Sequence, residues 1–133
     1  MSKDWTRENI SSGSTWEPII GYSRAVKVGP FISVSGTTAS GADGKLVGIG
    51  DLAAQTKQTL ANIEAALGKA GATMADVVRT RIFLTDISQW ELAARAHGEV
   101  FGEIRPATAM VQVAKLISDD MLVEIEADAI VRG

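Results

Sequence analysis

The sequence predicts a single α+β domain in which two helices cover one face of a mixed β-sheet. The chain has 133 residues, of which 46% are hydrophobic, enough for one domain with its own core. Two segments repeat apolar residues at helical spacing, and several shorter segments alternate apolar and polar residues as strands do. We therefore expect one domain over residues 1–133.

The chain is predicted to begin with strands. A short strand is expected near Trp5–Asn9, and a hairpin is expected where Ala25–Val28 and Phe31–Ser35 flank a tight turn at Gly29 and Pro30. A long loop follows from about Thr37 to Gly50, because glycines and a turn-forming GADGK segment interrupt any regular pattern there.

Two helices follow. In the first, from Asp51 to Ala70, the recurring positions are three and four residues apart, and Gly71 is a typical C-terminal stop. Those positions are Leu52, Thr56, Leu60, Ile63, Leu67 and Ala70. The second helix is expected from about Ser88 to Phe101. The side predicted to face the sheet consists of Trp90, Ala94, His97 and Phe101.

The remaining strands are expected at Val77–Leu84, Ala107–Val113 and Leu122–Val131. Alternation along the strands separates two faces of the sheet. The face expected under the helices consists of Ile32, Val34, Val78, Ile82, Leu84, Val111, Val113, Val123, Ile125, Ala127 and Ala129. The opposite face is expected to hold Ser33, Ser35, Arg79, Arg81, Phe83, Thr108, Met110, Gln112, Glu124, Glu126 and Asp128.

The second face mixes both signs of charge, and no segment is left over to cover it. Such a face can meet water or pack against another subunit, and the residues alone do not choose. Glu124, Glu126 and Asp128 point the same way at ~7 Å intervals along one strand. Their mutual repulsion can raise a pKa and produce a general acid or base. The alternative is that Arg79 and Arg81 pair with them.

Several classes of function are disfavoured by composition. No cysteine is present, which removes disulfides and thiolate nucleophiles, and the net charge of -3 argues against nucleic-acid binding. The first residues lack the apolar core of a signal peptide, and no apolar run could span a membrane, so a cytoplasmic protein is expected. His97, the single histidine, has no partners at metal-ligand spacing. A hydrogen-bonded packing role is expected for it, with proton transfer as the alternative.

Three segments resemble the reactive-intermediate deaminase (Rid, or YjgF-like) family. They are GYSRAVKVGPFISVSG at 21–36, similar to the family's GPYSQAVKVGNLIFVSG, the helix and strand at 53–87, and RPATAMVQVAKLISDDMLVEIEADAIV at 105–131. The resemblance implies a chorismate-mutase-like fold and a homotrimer with clefts between subunits. It also implies hydrolysis of reactive imines or enamines, such as 2-aminoacrylate, without cofactor or metal. Other members of the family are binding or stress proteins, and a few are ribonucleases.

The resemblance also assigns a pocket. Tyr22, Ser35 and Gly36 match its substrate-binding positions, and Glu124 matches the glutamate that positions or activates water. The family's carboxylate-binding arginine is replaced by Thr108, and its cysteine by Met110. The second-helix asparagine of the family is replaced by Ala94. The chain therefore resembles an arginine-lacking branch of the family.

Two functions are consistent with these residues. The first is hydrolysis of a small imine, enamine or related electrophile, with Glu124 as base. The second is a non-catalytic trimer that binds a small metabolite. Arg81 stands where many relatives carry threonine. We hypothesise that it supplies positive charge to the cleft, and the alternative is a structural ion pair with Glu124, Glu126 or Asp128.

Overall fold

A computed structural model describes residues 5–132 and contains one six-stranded sheet with two long helices on one face. The strands lie in the order β1-β2-β3-β6-β4-β5. Every neighbouring pair is antiparallel except β4 and β5, which are parallel, so the predicted mixed α+β sheet is confirmed. The elements are β1 Arg7–Ile10, α1 Trp16–Ile20, β2 Ala25–Val28, β3 Phe31–Thr37, α2 Leu52–Lys69, β4 Val77–Leu84, α3 Trp90–Phe101, β5 Ala107–Gln112 and β6 Val123–Ile130.

The first long helix, α2, follows its predicted bounds closely. The Asp51 carboxylate accepts a hydrogen bond from the Ala54 N–H and caps the helix, and Gly71 adopts a positive φ of 82° just past its end. Its apolar stripe is buried against β3 and β6, with Leu60, Ile63 and Leu67 essentially inaccessible. The predicted periodicity therefore identifies the face of α2 that builds the core.

The second long helix, α3, is rotated from its predicted orientation. A 3-10 turn at Ile87–Gln89 precedes it, capped by Asp86, so the helix begins at Trp90. Its buried side chains are Ala93, Ala96 and Phe101, whereas Trp90 is exposed. Small alanines permit α3 to pack closely, and the large Trp90 lies at the edge of that contact.

The assignment of β5 to the two faces was wrong. In the parallel pairing, Thr108 lies beside Thr80 and Met110 beside Ile82, and both β4 partners are buried beneath the helices. Thr108, Met110 and Gln112 therefore lie on the helix-covered face, and Val111 lies on the opposite face with 47% of its surface exposed. The segment ATAMVQ is weakly amphipathic, so alternation separates its two sides without indicating which one is inward.

Val78 was also misassigned to the core. The register between β4 and β6 shifts between Val77 and Arg79, where Val77 pairs with Ala129 and Arg79 with Asp128. The irregularity places Val77 inside and leaves Val78 44% exposed. Across a local bulge of this kind, the alternation of inward and outward side chains is interrupted, so the pattern used to assign the faces does not hold there.

A short helix, α1, was not predicted. It depends on Glu17, whose buried carboxylate accepts hydrogen bonds from the Ser12 N–H at 3.0 Å and the Ser12 hydroxyl at 2.6 Å. Gly21 ends it with a φ of 87°, and the chain then enters the segment containing Tyr22. Hydrogen bonds of the Glu17 side chain stabilise this turn, which an apolar periodicity does not reveal, and the turn brings Tyr22 to the sheet.

Within residues 5–132, no helix is long and apolar enough to cross a membrane. The same range contains no group of three or more histidine, cysteine or acidic side chains placed to hold a metal ion.

Candidate active site

The candidate site lies on the open face of the sheet, where β3 meets β6. The register between these strands shifts between Val34 and Thr37, so β3 carries one extra residue in the region of Ser35 and Gly36. Bulges of this kind often re-aim groups beside functional sites. A Cβ atom on Gly36 would overlap Glu124 Oε2 and lie 3.0 Å from its Cδ. The absence of a side chain at Gly36 thus lets the Glu124 carboxylate lie against the bulged backbone.

Glu124 has the electrostatics of a group poised to exchange a proton. It is half-buried, and across the described range its carboxylate makes no hydrogen bond or ion pair. Burial raises its pKa above the ordinary carboxyl value, the negative charge of Glu126 raises it further, and Arg24 opposes both effects. Its neighbour on β4 is Phe83, which contributes no hydrogen-bond donor from its side chain. The carboxylate therefore remains available for water or a ligand.

Arg24 is the site residue that the sequence analysis missed. Its Nη2 donates a 2.7 Å hydrogen bond to the Gly36 carbonyl, and its guanidinium carbon lies 5.7 Å from the centre of the Tyr22 ring. Its Nε is buried without a hydrogen-bond partner. The signal available in the sequence was an exchange, since GYSRAV carries arginine where the family segment GPYSQAV carries glutamine.

Ser35 and Tyr22 lie beside this arginine. The Ser35 hydroxyl donates to the Ser23 carbonyl at 2.6 Å, and the Ser35 N–H donates to the Arg24 carbonyl at 3.0 Å. Ser35 therefore ties the bulge to the segment carrying Tyr22 and Arg24. We call Tyr22, Arg24, Ser35, Gly36 and Glu124 the Glu124 site.

Thr108 lies on the other face of the sheet, within a chain of hydrogen bonds. Thr108 Oγ1 is 2.8 Å from Thr80 Oγ1, which is 3.0 Å from His97 Nε2. Thr108 Oγ1 also donates to the Pro106 carbonyl at 3.0 Å. Since that carbonyl can only accept, Thr80 donates to Thr108 and His97 Nε2–H donates to Thr80. Met110, on the same side, packs against the core.

His97 thus has the hydrogen-bonded packing geometry that was expected of it. Its ring lies 4.6 Å from the ring of Phe101, and burial lowers its pKa. A lowered pKa keeps the imidazole neutral near pH 7, which is consistent with one donated and one free ring nitrogen.

Arg81 shares the open face with Glu124, as predicted, but it contacts other carboxylates. Its Nη1 lies 3.1 Å from Asp128 Oδ2 and 3.7 Å from Glu126 Oε1. We call Arg81, Glu126 and Asp128 the Arg81 cluster. This geometry matches the structural alternative for Arg81, and its proposed contact with substrate stays a prediction.

Two surface depressions are present near the ends of the sheet. One, of about 440 Å³, has Tyr22 on its wall together with Arg7, Asn9, Glu17, Pro18, Gly21 and Ser23. The other, of about 590 Å³, lies around Arg105 and Pro106. Glu124 lines neither of these two depressions.

Comparison with known proteins places this geometry in a family. The model of the family described as Endoribonuclease L-PSP matches residues 13–131. A RutC family protein of Pyrococcus abyssi is 37% identical over 123 residues, which is 92% of this chain and 96% of that protein. The 3-aminoacrylate deaminase RutC of Acinetobacter baylyi is 35% identical over 123 residues, covering 92% of this chain and 97% of that protein.

A solved structure agrees with both the sequence and the fold. A member of the YjgF/YER057c/UK114 family from Mycobacterium tuberculosis superposes with a TM-score of 0.86 at 55% identity, covering 95% of this chain and all of that one. The chain therefore belongs to the Endoribonuclease L-PSP family, also called the YjgF or Rid family.

Proposed function

We propose that this protein hydrolyses a small imine or enamine to a carbonyl compound and ammonia, with Glu124 as the proton-transfer group. The observation that carries the proposal is the half-buried Glu124 carboxylate, whose pKa is raised and which has no hydrogen bond or ion pair within residues 5–132. A free carboxylate of this kind suits general acid–base catalysis. The deaminase named among the relatives supports the same class of reaction.

The reaction needs several proton transfers that one carboxyl group can perform in turn. Glu124 accepts a proton as the oxygen of a water molecule forms a bond to the iminium carbon, which gives a carbinolamine. The protonated Glu124 then gives that proton to the nitrogen. The C–N bond breaks, ammonia leaves with the bonding pair, and Glu124 takes the proton of the hydroxyl group as the carbonyl forms. That proton passes to the departing ammonia, which leaves as ammonium and returns Glu124 to its ionised form. An enamine enters this sequence after protonated Glu124 has given its proton to the enamine carbon, which produces the iminium and the ionised carboxylate.

The site is completed, in this proposal, by a second copy of the chain in a homotrimer. Thr108 and Glu124 lie on opposite faces of one copy, so no single copy can present both to one ligand. β5 forms one end of the sheet order, which leaves it free to lie beside the open face of a neighbour. Three copies of 14.0 kDa predict a particle of about 42 kDa by light scattering. A 14 kDa monomer at micromolar concentration would contradict the assembly.

The test of catalysis is ammonia release from a panel of neutral and anionic imines. Glu124→Gln should lower turnover by roughly 10²–10⁴, the usual scale for a positioned acid–base group. Asp128→Asn is the matched control, because Asp128 lies on the same strand and face but belongs to the Arg81 cluster, and it is not among the charges that shift the pKa of Glu124. Absence of ammonia release by the wild type across the whole panel would contradict the proposal.

A non-catalytic metabolite-binding protein is the second candidate. The observation that favours it is Thr108, a neutral hydroxyl already donating to Pro106, where the family carries an arginine. In that case a ligand should bind the Glu124 site with no turnover, and Glu124→Gln should change affinity alone.

A further inference from the structure

We infer that Arg24 is the cation that recognises a carboxylate on the ligand of the Glu124 site. The inference rests on the proposed function only for the location of the ligand, and it names the ligand's chemical class as a small organic acid.

The first support is the placement of Arg24. The hydrogen bond from Nη2 to the Gly36 carbonyl and the Tyr22 ring 5.7 Å from its guanidinium carbon fix the position of the planar group. Gly36 is also the residue against which the Glu124 carboxylate lies. The guanidinium and the proposed acid–base group therefore both lie against the backbone at Gly36.

The second support is the unused capacity of this guanidinium. In the part of the chain that the structure describes, Arg24 forms no ion pair, and Nη2 makes its one hydrogen bond. Among residues 5–132, Nε is buried without a hydrogen-bond partner and Nη1 has no acceptor. A partly buried arginine without a counter-ion favours binding of an anion, because the planar guanidinium presents paired donors that match a carboxylate.

The other residues that could bind a ligand carboxylate are either already paired with carboxylates or uncharged. Arg81 is held between Asp128 and Glu126, and a ligand would have to compete with both of those carboxylates. Thr108 has a hydroxyl and no charge. Arg24 is thus the cation at the Glu124 site whose charge is not offset by an ion pair.

A carboxylate at Arg24 also has a consequence for Glu124. The charge of Arg24 lowers the pKa of Glu124 in the free protein. A bound anion would offset that charge and add its own repulsion, so binding raises the pKa of Glu124 further. The acid would then hold a proton more readily at the stage where the nitrogen must be protonated.

The test compares pyruvate with its neutral methyl ester by calorimetric titration of the intact protein. Arg24→Gln should weaken pyruvate binding about 10- to 100-fold, the range for losing a charged hydrogen bond, and leave methyl pyruvate unchanged. Arg24→Lys should recover part of the affinity for pyruvate. Arg81→Gln tests the competing prediction that Arg81 contacts the ligand, and since Arg81 is already paired with Asp128 and Glu126, this variant should bind pyruvate like the wild type.

The outcomes separate this inference from the proposed reaction. Equal pyruvate binding by Arg24→Gln and wild type, no pyruvate binding by the wild type, or loss of binding in Arg81→Gln instead would overturn the inference. Pyruvate binding that depends on Arg24 in a protein that releases no ammonia would support the inference and contradict the reaction. If Arg24→Gln fails to fold, Arg24→Lys decides by the ratio of its affinities for pyruvate and the ester.

Discussion

The Glu124 site and the Arg81 cluster lie on one sheet face and share a strand, yet the carboxylates of the cluster are ion-paired and that of Glu124 is not. Glu126 and Asp128 are paired with Arg81, and Asp128 also accepts a hydrogen bond from Ser33 at 3.1 Å. Glu124, two residues from Glu126, is left without such a partner in the described chain and has a raised pKa. The difference shows that spacing along a strand sets the direction in which these side chains point but not whether their charges are paired.

The residues on the neighbouring strands determine which of these carboxylates is paired. On β4, Glu126 lies opposite Arg81, whereas Glu124 lies opposite Phe83. On β3, the extra residue near Gly36 brings backbone rather than a side chain against the Glu124 carboxylate. Glu126 is thus paired with a cation, whereas burial raises the pKa of Glu124.

Among the variants that keep the Glu124 carboxylate, Gly36→Ala should produce the largest effect on turnover. The added Cβ would overlap the Glu124 carboxylate, and because a carboxylate is the flexible end of its side chain, the chain should still fold. Displacing a catalytic group by about 1 Å can cost ~10²-fold in rate, and we expect turnover to fall by roughly that factor. Imine hydrolysis assays measure it.

This variant also tests Arg24 separately from Glu124. The backbone carbonyl of residue 36 is retained, so pyruvate binding should stay within a few-fold of wild type. Gly68→Ala is the matched control, since a Cβ there meets no atom within 4 Å. Unchanged turnover in Gly36→Ala would show that the Glu124 carboxylate is not held where hydrolysis requires it.

Arg81→Met should have a smaller effect, and on stability rather than turnover. The side chain of Arg81 is 41% exposed and that of Asp128 35%, so solvent screens the ion pair and its loss should cost about 1 kcal/mol or less. The denaturation midpoint at fixed protein concentration measures this. Lys57→Met, which removes the exposed pair with Glu99, provides the reference for a surface ion pair. A hundred-fold loss of pyruvate affinity in Arg81→Met would move the anion site to the Arg81 cluster.

The sequence predicted the elements of the fold better than the contacts of the site. Periodicity located α2 within one residue at each end, because eighteen residues with an apolar stripe leave few alternatives. The same reasoning misplaced the six residues of β5, since either face of ATAMVQ could be buried. Helix α1 was missed because a buried Glu17 and two hydrogen bonds from Ser12 stabilise it without any periodicity.

The resemblance named residues of the candidate site but not the charges around them. Tyr22, Ser35, Gly36 and Glu124 do lie together, whereas Thr108 and Met110 are on the other face of the same copy. The isolation of Glu124 depends on a bulge in β3, and the availability of Arg24 depends on what its neighbours leave unpaired. Neither property follows from local sequence, because each is set by residues far away in the chain.

The pH dependence of the Glu124 charge should give the smallest effect, and it tests the difference between the Glu124 site and the Arg81 cluster directly. Its folded-state pKa is raised, so the folded protein binds this proton more tightly than the unfolded chain does. Below the pKa that Glu124 has in the unfolded chain, the carboxyl is protonated in both states and does not destabilise the folded protein. As pH rises from there through the folded-state pKa, the buried carboxyl must ionise, and the free energy of unfolding falls. The titration of the Glu124 carboxyl carbon by NMR, without ligand, should have its midpoint above 4.5, the ordinary pKa of a glutamate carboxyl. Glu126→Gln should move this midpoint to lower pH by removing a like charge, and Arg24→Gln should move it to higher pH by removing an opposite one. Shifts of the same sign in both variants would mean that a general change in burial, rather than these two charges, distinguishes Glu124 from its neighbours on β6.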